Sequence, residues 1–324
     1  MKASQLVSNC IKDYNLLDSN KDIIVAYSGG KDSFSLCKIL LSLGYHLRPV
    51  IIDIGYDVDW SCAIKNLQTL GLSCEVISIE FVSKYLKNIF HEVNVFFDKV
   101  KEINKKGQNA LTTICTPCYN AKHLILCELT KLYNINTVAF GHHGTDAVAS
   151  FLKSYFMFID RWELSHEIFA IHNIYRLVDA TKCYFDNKDV FNHILFKKLV
   201  DLINKRKIST DEPPLSKVNE NVRFIRPLFY CMEKDVKEYV PLGEYSYVRS
   251  ECEYKFRTKK ILTSREYIQE KILNENLDED IFNILISLIR LGLKVTGEVV
   301  YDARRNRDII LGKNYKNDGI CQKL

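Results

Sequence analysis

The chain lacks the marks of several protein classes. No run of about 18 apolar residues occurs, so no membrane-spanning helix is expected. The opening stretch, MKASQLVSNCIKDYNLLDSNKDIIVAYSGG, holds no unbroken apolar core followed by a small-residue cleavage site. No secretory leader is therefore expected, and the cytoplasm is the expected compartment. There is no internal repeat and no low-complexity tract. Charge of one sign is not in excess either: 45 Lys and Arg against 40 Asp and Glu leave a net +5. That surplus is too mild to indicate a nucleic acid by itself. Eleven cysteines in 324 residues are too few for a secreted disulfide scaffold, yet more than a core needs. What remains is an ordinary globular composition, 47% hydrophobic and 26% charged, which excludes a disordered chain and a coiled coil.

Along the chain, hydrophobic periodicity separates several regions. Residues 1–20 predict a short amphipathic helix, with Leu6, Cys10 and Ile11 at helical spacing. The β-branched run IIVAYS predicts a strand ending at Gly29-Gly30, and from Asp32 the period changes to that of a helix stopping near Gly44. Further strands are expected at Leu47–Ile54, Cys74–Ile79 and Asn136–Phe140, with a helix around Ser61–Leu70. Strands alternating with helices predict βαβ units, hence an α/β fold with a doubly wound parallel sheet. The sheet domain is expected over 21–254, interrupted by a helical insert at 151–215 that is rich in aromatics. Sheet character returns at Val222–Leu228. The tail, 255–324, is expected to be basic and mainly helical, with a strand-like Val295–Tyr301.

Between the first strand and its helix lies Ser28-Gly29-Gly30-Lys31-Asp32-Ser33. Two glycines allow backbone N–H groups close to a phosphate, and a helix N-terminus adds its positive dipole end. Ser28 and Ser33 add hydroxyls, and Lys31 adds a point charge. Asp32 would repel a bare phosphate, so its presence points to nucleotide accompanied by Mg²⁺. The Walker pattern fails here, because Lys31 is followed by Asp and Val25 stands where the first Gly belongs. A second polar loop, Gly141-His142-His143-Gly144-Thr145-Asp146, follows the strand INTVAF. In a doubly wound sheet, loops at the carboxyl ends of the strands share one crevice.

The first loop resembles the SGGKDS signature of the N-type ATP pyrophosphatase (PP-loop) superfamily, whose fold is the adenine nucleotide alpha hydrolase-like sheet. The second is similar to that family's GHH-x-x-D segment. The resemblance implies ATP held by Ser28, Gly29, Gly30, Lys31, Asp32 and Ser33, with Gly141, His142 and Asp146 lining the same site. It also implies attack on the α-phosphate, giving an adenylated intermediate and pyrophosphate, with Lys31 and Asp32 as catalytic residues. Asp53, ending the strand PVIID, falls where the family approaches adenine and ribose; as a residue it also suits a strand-end turn. One departure is that many members carry two acids after the histidines, where this chain has Asp146-Ala147.

Among the cysteines, Cys10, Cys37, Cys62, Cys74, Cys127, Cys183 and Cys231 sit in apolar patterns and suit a core, and Cys321 lies in the polar tail. Cys115-Thr116-Pro117-Cys118 differs: two thiols at C-x-x-C spacing can share a centre, and Pro117 stiffens the turn. Zinc, an iron–sulfur cluster, a redox pair and chance are all open at this spacing, although no second pair of zinc-finger spacing follows. Cys252 lies in the polar stretch Arg249–Tyr254, 252 − 118 = 134 residues on. Here the chain is similar to the PP-loop enzymes that thiolate C2 of pyrimidines in tRNA. In those enzymes a C-x-x-C and a distant lone cysteine hold a [4Fe–4S] cluster, leaving one iron open. The resemblance implies Cys115, Cys118 and Cys252 as metal ligands, Cys115 and Cys252 among the catalytic residues, and FIRPL (Phe224–Leu228) as the strand before the last cysteine. Tyr119-Asn120-Ala121-Lys122-His123 replaces the more arginine-rich run of relatives, and the paired N-terminal zinc-ribbon cysteines of the 2-thiouridine branch are absent.

From Lys255 onward there are 14 Lys and Arg against 10 Asp and Glu, so 14 − 10 = 4 of the net +5 sits in the tail. Arg249, Lys255, Arg257, Lys259 and Lys260 are interleaved with Tyr247, Tyr254 and Phe256 around Cys252, a composition that suits phosphate contacts and base stacking on RNA. The expected function is an ATP-dependent tRNA sulfurtransferase using ATP, Mg²⁺ and a [4Fe–4S] cluster. Its expected partners are tRNA and a sulfur donor, either sulfide or a cysteine desulfurase, with no membrane and with room for a homodimer. Two alternatives stand beside it. One is a cluster-free PP-loop ligase or amidotransferase, resembling lysidine synthetase or deazaguanine nitrile synthase. The other is a thiolation enzyme for a small molecule.

Overall fold

The structure, a computed structural model, describes residues 2–18, 21–53, 55, 58–106, 115–150, 214–218, 221–241, 243, 273–274 and 276–290. The insert expected at 151–215, Cys252, and the tail beyond 290 with its strand-like 295–301 lie outside these residues, apart from the last two positions of the insert.

Helix α1 (Lys2–Asp13) precedes strand β1 (Ile23–Ala26), and α2 (Lys31–Ser42) and β2 (Leu47–Ile52) follow. Next come α3 (Ser61–Thr69), β3 (Glu75–Ile77), α4 (Ile79–Tyr85), α5 (Phe90–Lys106), α6 (Cys115–Tyr133) and β4 (Thr137–Phe140). After the insert come β5 (Leu215–Lys217), β6 (Arg223–Ile225), a 3₁₀ turn at Pro227–Tyr230, α7 (Glu233–Tyr239) and α8 (Asp278–Arg290). The sheet order is β3-β2-β1-β4-β6-β5, and β3, β2, β1, β4 and β6 run parallel. Successive strands step outward from β1 to β2 and β3, then return across β1 to β4. This is the doubly wound order, and it places the switch point between β1 and β4, where the two directions of winding part.

Side chains alternate across each strand, and so divide the core. Ile24, Val50, Ile77, Val138 and Phe224 share one buried cluster with Val82, Val93, Phe96, Phe97, Ile125 and Leu129 from α4, α5 and α6. The alternate positions, among them Ile23, Val25, Ile51 and Ala139, are buried as well. On that side α1, α2 and α7 pack against one another through residues such as Val7, Cys10, Leu36, Leu40 and Val236. Strands buried on both faces read as continuous β-branched runs, and that is what IIVA and TVAF are.

Two expectations from the sequence are corrected. Phe224–Leu228 is not one strand: β6 stops at Ile225, and Pro227, which has no N–H for a ladder, opens a 3₁₀ turn. The third strand ends at Ile77, because Ser78 caps α4 by accepting the Phe81 N–H at 3.4 Å.

Two compact units divide the chain. The first holds residues 1–143, 217–261 and 302–305, and with them the parallel strands. The second holds residues 144–216, 262–301 and 306–324. In that second unit residues 144–150 are helical with Ala147, Val148 and Ala149 buried, and Thr145 Oγ1 donates to Asp278 Oδ2 at 3.3 Å. No helix among the described residues is long and apolar enough to cross a membrane.

Candidate active site

The phosphate-type loop leaves β1 at the switch point and turns directly into α2. Gly29 makes the turn with φ +76°, a conformation that costs glycine nothing. The loop is knotted by its two serines. Ser28 N–H donates to Ser33 Oγ at 3.2 Å, and Ser33 Oγ donates to the Gly30 carbonyl at 3.0 Å. Gly30 is the N-cap of α2 and supplies no side-chain cap. The first N–H groups of α2 therefore lack the capping oxygen that usually covers a helix start, and they can serve an anion instead.

The loop after β4 lies against this helix start. A Cβ placed on Gly141 would come within 2.7 Å of the Ser33 nitrogen and 2.9 Å of both the Asp32 carbonyl carbon and the Ser33 Cα. Only glycine fits there without moving backbone. The two polar loops read from the sequence are thus brought together by the β1–β4 pairing.

Their side chains form one charged cluster. Lys31 Nζ lies 2.5 Å from Asp32 Oδ1 and 3.0 Å from Glu233 Oε1. His143 Nε2 lies 2.7 Å from Glu233 Oε2 and 4.0 Å from Asp32 Oδ1. His143 is 1% exposed and Glu233 12%, whereas Lys31 and Asp32 keep 26% and 34%, so water screens the loop side of the cluster and little of its His143–Glu233 side. Burial pushes the Glu233 carboxyl up, but the hydrogen bond from His143 and the charge of Lys31 outweigh it and hold the group well below the usual carboxylate range. Burial likewise lowers the Lys31 ammonium, and Asp32 and Glu233 more than reverse this, so its pKa is raised. Donor atoms of Asp32, His143 and Glu233 lie within 4.8 Å of one another. That spacing could hold a divalent cation; the two carboxylates suit Mg²⁺, and the imidazole suits a metal of the zinc type.

Beside this cluster runs a column of rings. Tyr119 and His123 of α6 have centroids 3.8 Å apart, His123 stacks on Phe140 at 5.4 Å, and Phe140 stacks on His142 at 5.9 Å. The Arg226 guanidinium lies 5.5 Å from the Phe140 ring centre, and Arg226 is 2% exposed. Burial, followed by the charge of Arg226, drives the His123 pKa well below its ordinary value.

No protein-family model matches the chain. Among curated proteins, a tRNA-cytidine(32) 2-sulfurtransferase from Geobacter metallireducens is 31% identical over 157 residues, covering 46% of this chain and 54% of that protein. One from Acaryochloris marina is 23% identical over 248 residues, covering 74% and 64%. The chain spans about half the length of the first of these relatives. Among solved structures, the U34-tRNA thiolase NcsA from Methanococcus maripaludis, with its [4Fe-4S] cluster, aligns with TM-score 0.51 at 18% identity. That alignment covers 89% of this chain and 77% of the thiolase. The chain resembles the PP-loop tRNA thiolation enzymes in sequence and has their α/β fold.

Within this PP-loop frame, the residues expected from sequence fall as follows. Ser28, Gly29, Gly30, Lys31, Asp32 and Ser33 form the loop, and Gly141 and His142 stand beside it. Asp53 directly follows β2, which pairs with β1, and its Oδ1 accepts the Gly55 N–H at 3.0 Å, so the turn role is real. Asp146 is buried in the helical stretch 144–150 of the second unit. Cys115 and Cys118 lie three positions apart in the first turn of α6. Pro117 does not stiffen a free turn here. It sits in that first helical turn, where an N–H has no intrahelical partner to lose. Cys118 is half-buried, and two cysteines at C-x-x-C spacing suit two ligands of an iron–sulfur centre. The third, Cys252, lies outside the described residues.

Two members of the charged cluster escaped the sequence-based site. His143 was visible in the GHH loop without a role. Glu233 stands 201 positions from Asp32 (233 − 32). The signal for it is an acidic first turn, Glu233 and Asp235, directly after FIRPL. A parallel β6 must end on the same edge of the sheet as β1.

Proposed function

We propose that the chain is an ATP-dependent tRNA sulfurtransferase acting at C2 of a pyrimidine base. The observation that carries this reading is the meeting of the phosphate loop and the GHH loop at the start of α2, with a C-x-x-C opening α6, the helix that leads into β4. The N–H groups of Gly29, Gly30 and the first turn of α2 hold the phosphates of ATP, and Ser28 and Ser33 fix the loop around them. Asp32 would hold the Mg²⁺ that accompanies the nucleotide. The base oxygen at C2 attacks the α-phosphorus, and the bond to the β-phosphate oxygen breaks. Lys31 stabilises the charge gathering on the leaving pyrophosphate. A sulfur nucleophile then adds at C2, AMP departs with the former base oxygen, and a C=S group remains. Adenylation turns a poor leaving oxygen into a good one. Asp53 at the end of β2 and His142 beside the loop face the nucleoside side of the site, and Asp146 orders the segment after the histidines. Cys115, Cys118 and Cys252 would hold a [4Fe–4S] cluster, whose chemistry when bound is the delivery of sulfur to carbon. The thiols must be reduced to do so, which suits the cytoplasm. The basic, aromatic-rich sequence around Cys252 would receive the RNA, and sulfide or a cysteine desulfurase would supply sulfur.

The test is anaerobic incubation of the protein with ATP, Mg²⁺, sulfide and bulk tRNA, read by AMP, pyrophosphate and nucleoside mass spectrometry. The expected result is one thiopyrimidine formed per AMP released. AMP and pyrophosphate without any thionucleoside would instead identify a PP-loop ligase or amidotransferase.

A further inference from the structure

Lys31 carries the charge that the phosphate chemistry needs, yet its ammonium is already engaged by two carboxylates, Asp32 at 2.5 Å and Glu233 at 3.0 Å. Asp32 belongs to the loop. Glu233 does not: it comes from α7, on the far side of β4 and β6 in the sequence, and its other oxygen is fixed by His143 at 2.7 Å. Lys237, one turn along α7, adds a contact at 3.2 Å but is 60% exposed. Its charge is therefore largely screened. Lys31 and Asp32 keep side-chain exposures of 26% and 34%, so an arriving ligand can reach both, while His143 and Glu233 lie behind them at 1% and 12%. A polyphosphate arriving alone meets a cradle whose lysine is already paired with two carboxylates. A divalent cation arriving with the polyphosphate would give both carboxylates a new partner and so release the ammonium toward the phosphates.

We propose that Glu233 is a positioning residue that holds Lys31 out of use until nucleotide arrives with a divalent cation, so that the site discriminates metal-bound from metal-free polyphosphate. The inference rests on the nucleotide-binding part of the reading above and adds to it a residue outside both loops. Glu233 acts through Lys31; it need not touch substrate.

The experiment is calorimetric titration with a non-hydrolysable ATP analogue, with Mg²⁺ and with EDTA, on the wild type and on Glu233→Gln. No tRNA, cluster or turnover is needed. Glutamine keeps a hydrogen-bonding oxygen for His143 while removing the charge. Mg²⁺ aids polyphosphate binding at many sites, so the quantity to read is the change in metal dependence between the two proteins. The expected result is that Glu233→Gln binds the metal-free analogue about tenfold more tightly than the wild type, the equivalent of one lost unfavourable contact of this kind. Its gain on adding Mg²⁺ should shrink by a similar factor. A variant whose metal-to-EDTA affinity ratio stays within about twofold of the wild-type ratio overturns the inference and leaves the nucleotide reading standing. Wild type that binds the analogue equally well in Mg²⁺ and EDTA overturns it with no variant required. Wild type that binds no analogue under either condition overturns both.

Discussion

The parallel sheet carries a polar cluster near each end, built from the same kinds of side chain and put to different uses. Where β2 and β3 begin, Arg48 pairs with Glu75 at 3.3 Å, and Tyr133 donates to Glu75 at 2.5 Å while its ring lies 3.4 Å from the guanidinium. Arg48 is 46% exposed and Glu75 37%. Where β1, β4 and β6 end, Lys31, Asp32, His143 and Glu233 form the second cluster, whose histidine is 1% exposed. The first cluster stays hydrated, so it costs little to fold and contributes little, as exposed ion pairs generally do. The second is withdrawn from water at His143 and Glu233, while Lys31 and Asp32 keep 26% and 34% exposure, and desolvating charge is costly unless every group finds a partner. Here the partners come from three separated segments of chain. The comparison shows that the two buried members, His143 and Glu233, separate the second cluster from a surface brace, since Asp32 and Glu75 are about equally exposed.

Breaking the second cluster should have the largest effect. Lys31→Ala is expected to reduce pyrophosphate-forming turnover by about 100-fold or more, the usual scale for removing a charge that stabilises a leaving group. ATP–pyrophosphate exchange measures it. Gly141→Ala tests whether the two loops must touch. Its Cβ would press on the backbone of Asp32 and Ser33, and overpacking of this kind costs about 1–3 kcal/mol. A lowered melting temperature together with weaker nucleotide binding is expected; a variant with unchanged melting and affinity would show that the loops tolerate separation.

The ring column offers a pH test of intermediate size. Buried His123 has its pKa lowered, so the native state keeps it neutral while the unfolded chain takes up a proton near its ordinary value of about 6.5. Its contribution to stability is present above about pH 6.5 and is lost as pH falls below it, at up to about 1.4 kcal/mol per pH unit. Urea melts at pH 7 and at pH 5.5 should show that loss in the wild type and much less of it in His123→Leu. Equal losses in both proteins would exclude His123 as the source. The smallest effect belongs to the hydrated cluster. Arg48→Ala is expected to cost at most about 1 kcal/mol and to leave nucleotide affinity unchanged. A loss of nucleotide binding there would break the comparison between the two ends.

The parts of the fold that were legible share a cause. IIVA and TVAF are continuous apolar runs because the strands are buried on both faces, and the SGGKDS loop is contiguous, so its turn, its helix start and its charge lie in one short stretch. FIRPL misled because its apolar run outlasts its strand: Pro227 ends the ladder two positions after Ile225, and an apolar 3₁₀ turn has the composition of a buried strand. Pro117 misled in the same way, since proline in a first helical turn has the same letters as proline in a loop. His143 and Glu233 were beyond periodicity altogether. Their contact depends on β4 and β6 pairing in register, Thr137 against Arg223 through Ala139 against Ile225.

The sequence by itself determined the alternation of strands and helices, the SGGKDS loop between the first strand and its helix, and the C-x-x-C spacing. Each of these is a local pattern, fixed by neighbours within a few residues. Tertiary structure alone decided that Gly141 must press against the start of α2, that His123 stays neutral beneath a stack of rings, and that Glu233 holds Lys31. Those outcomes depend on how far each group is drawn from water and on which distant partner meets it there, and a linear sequence records neither quantity.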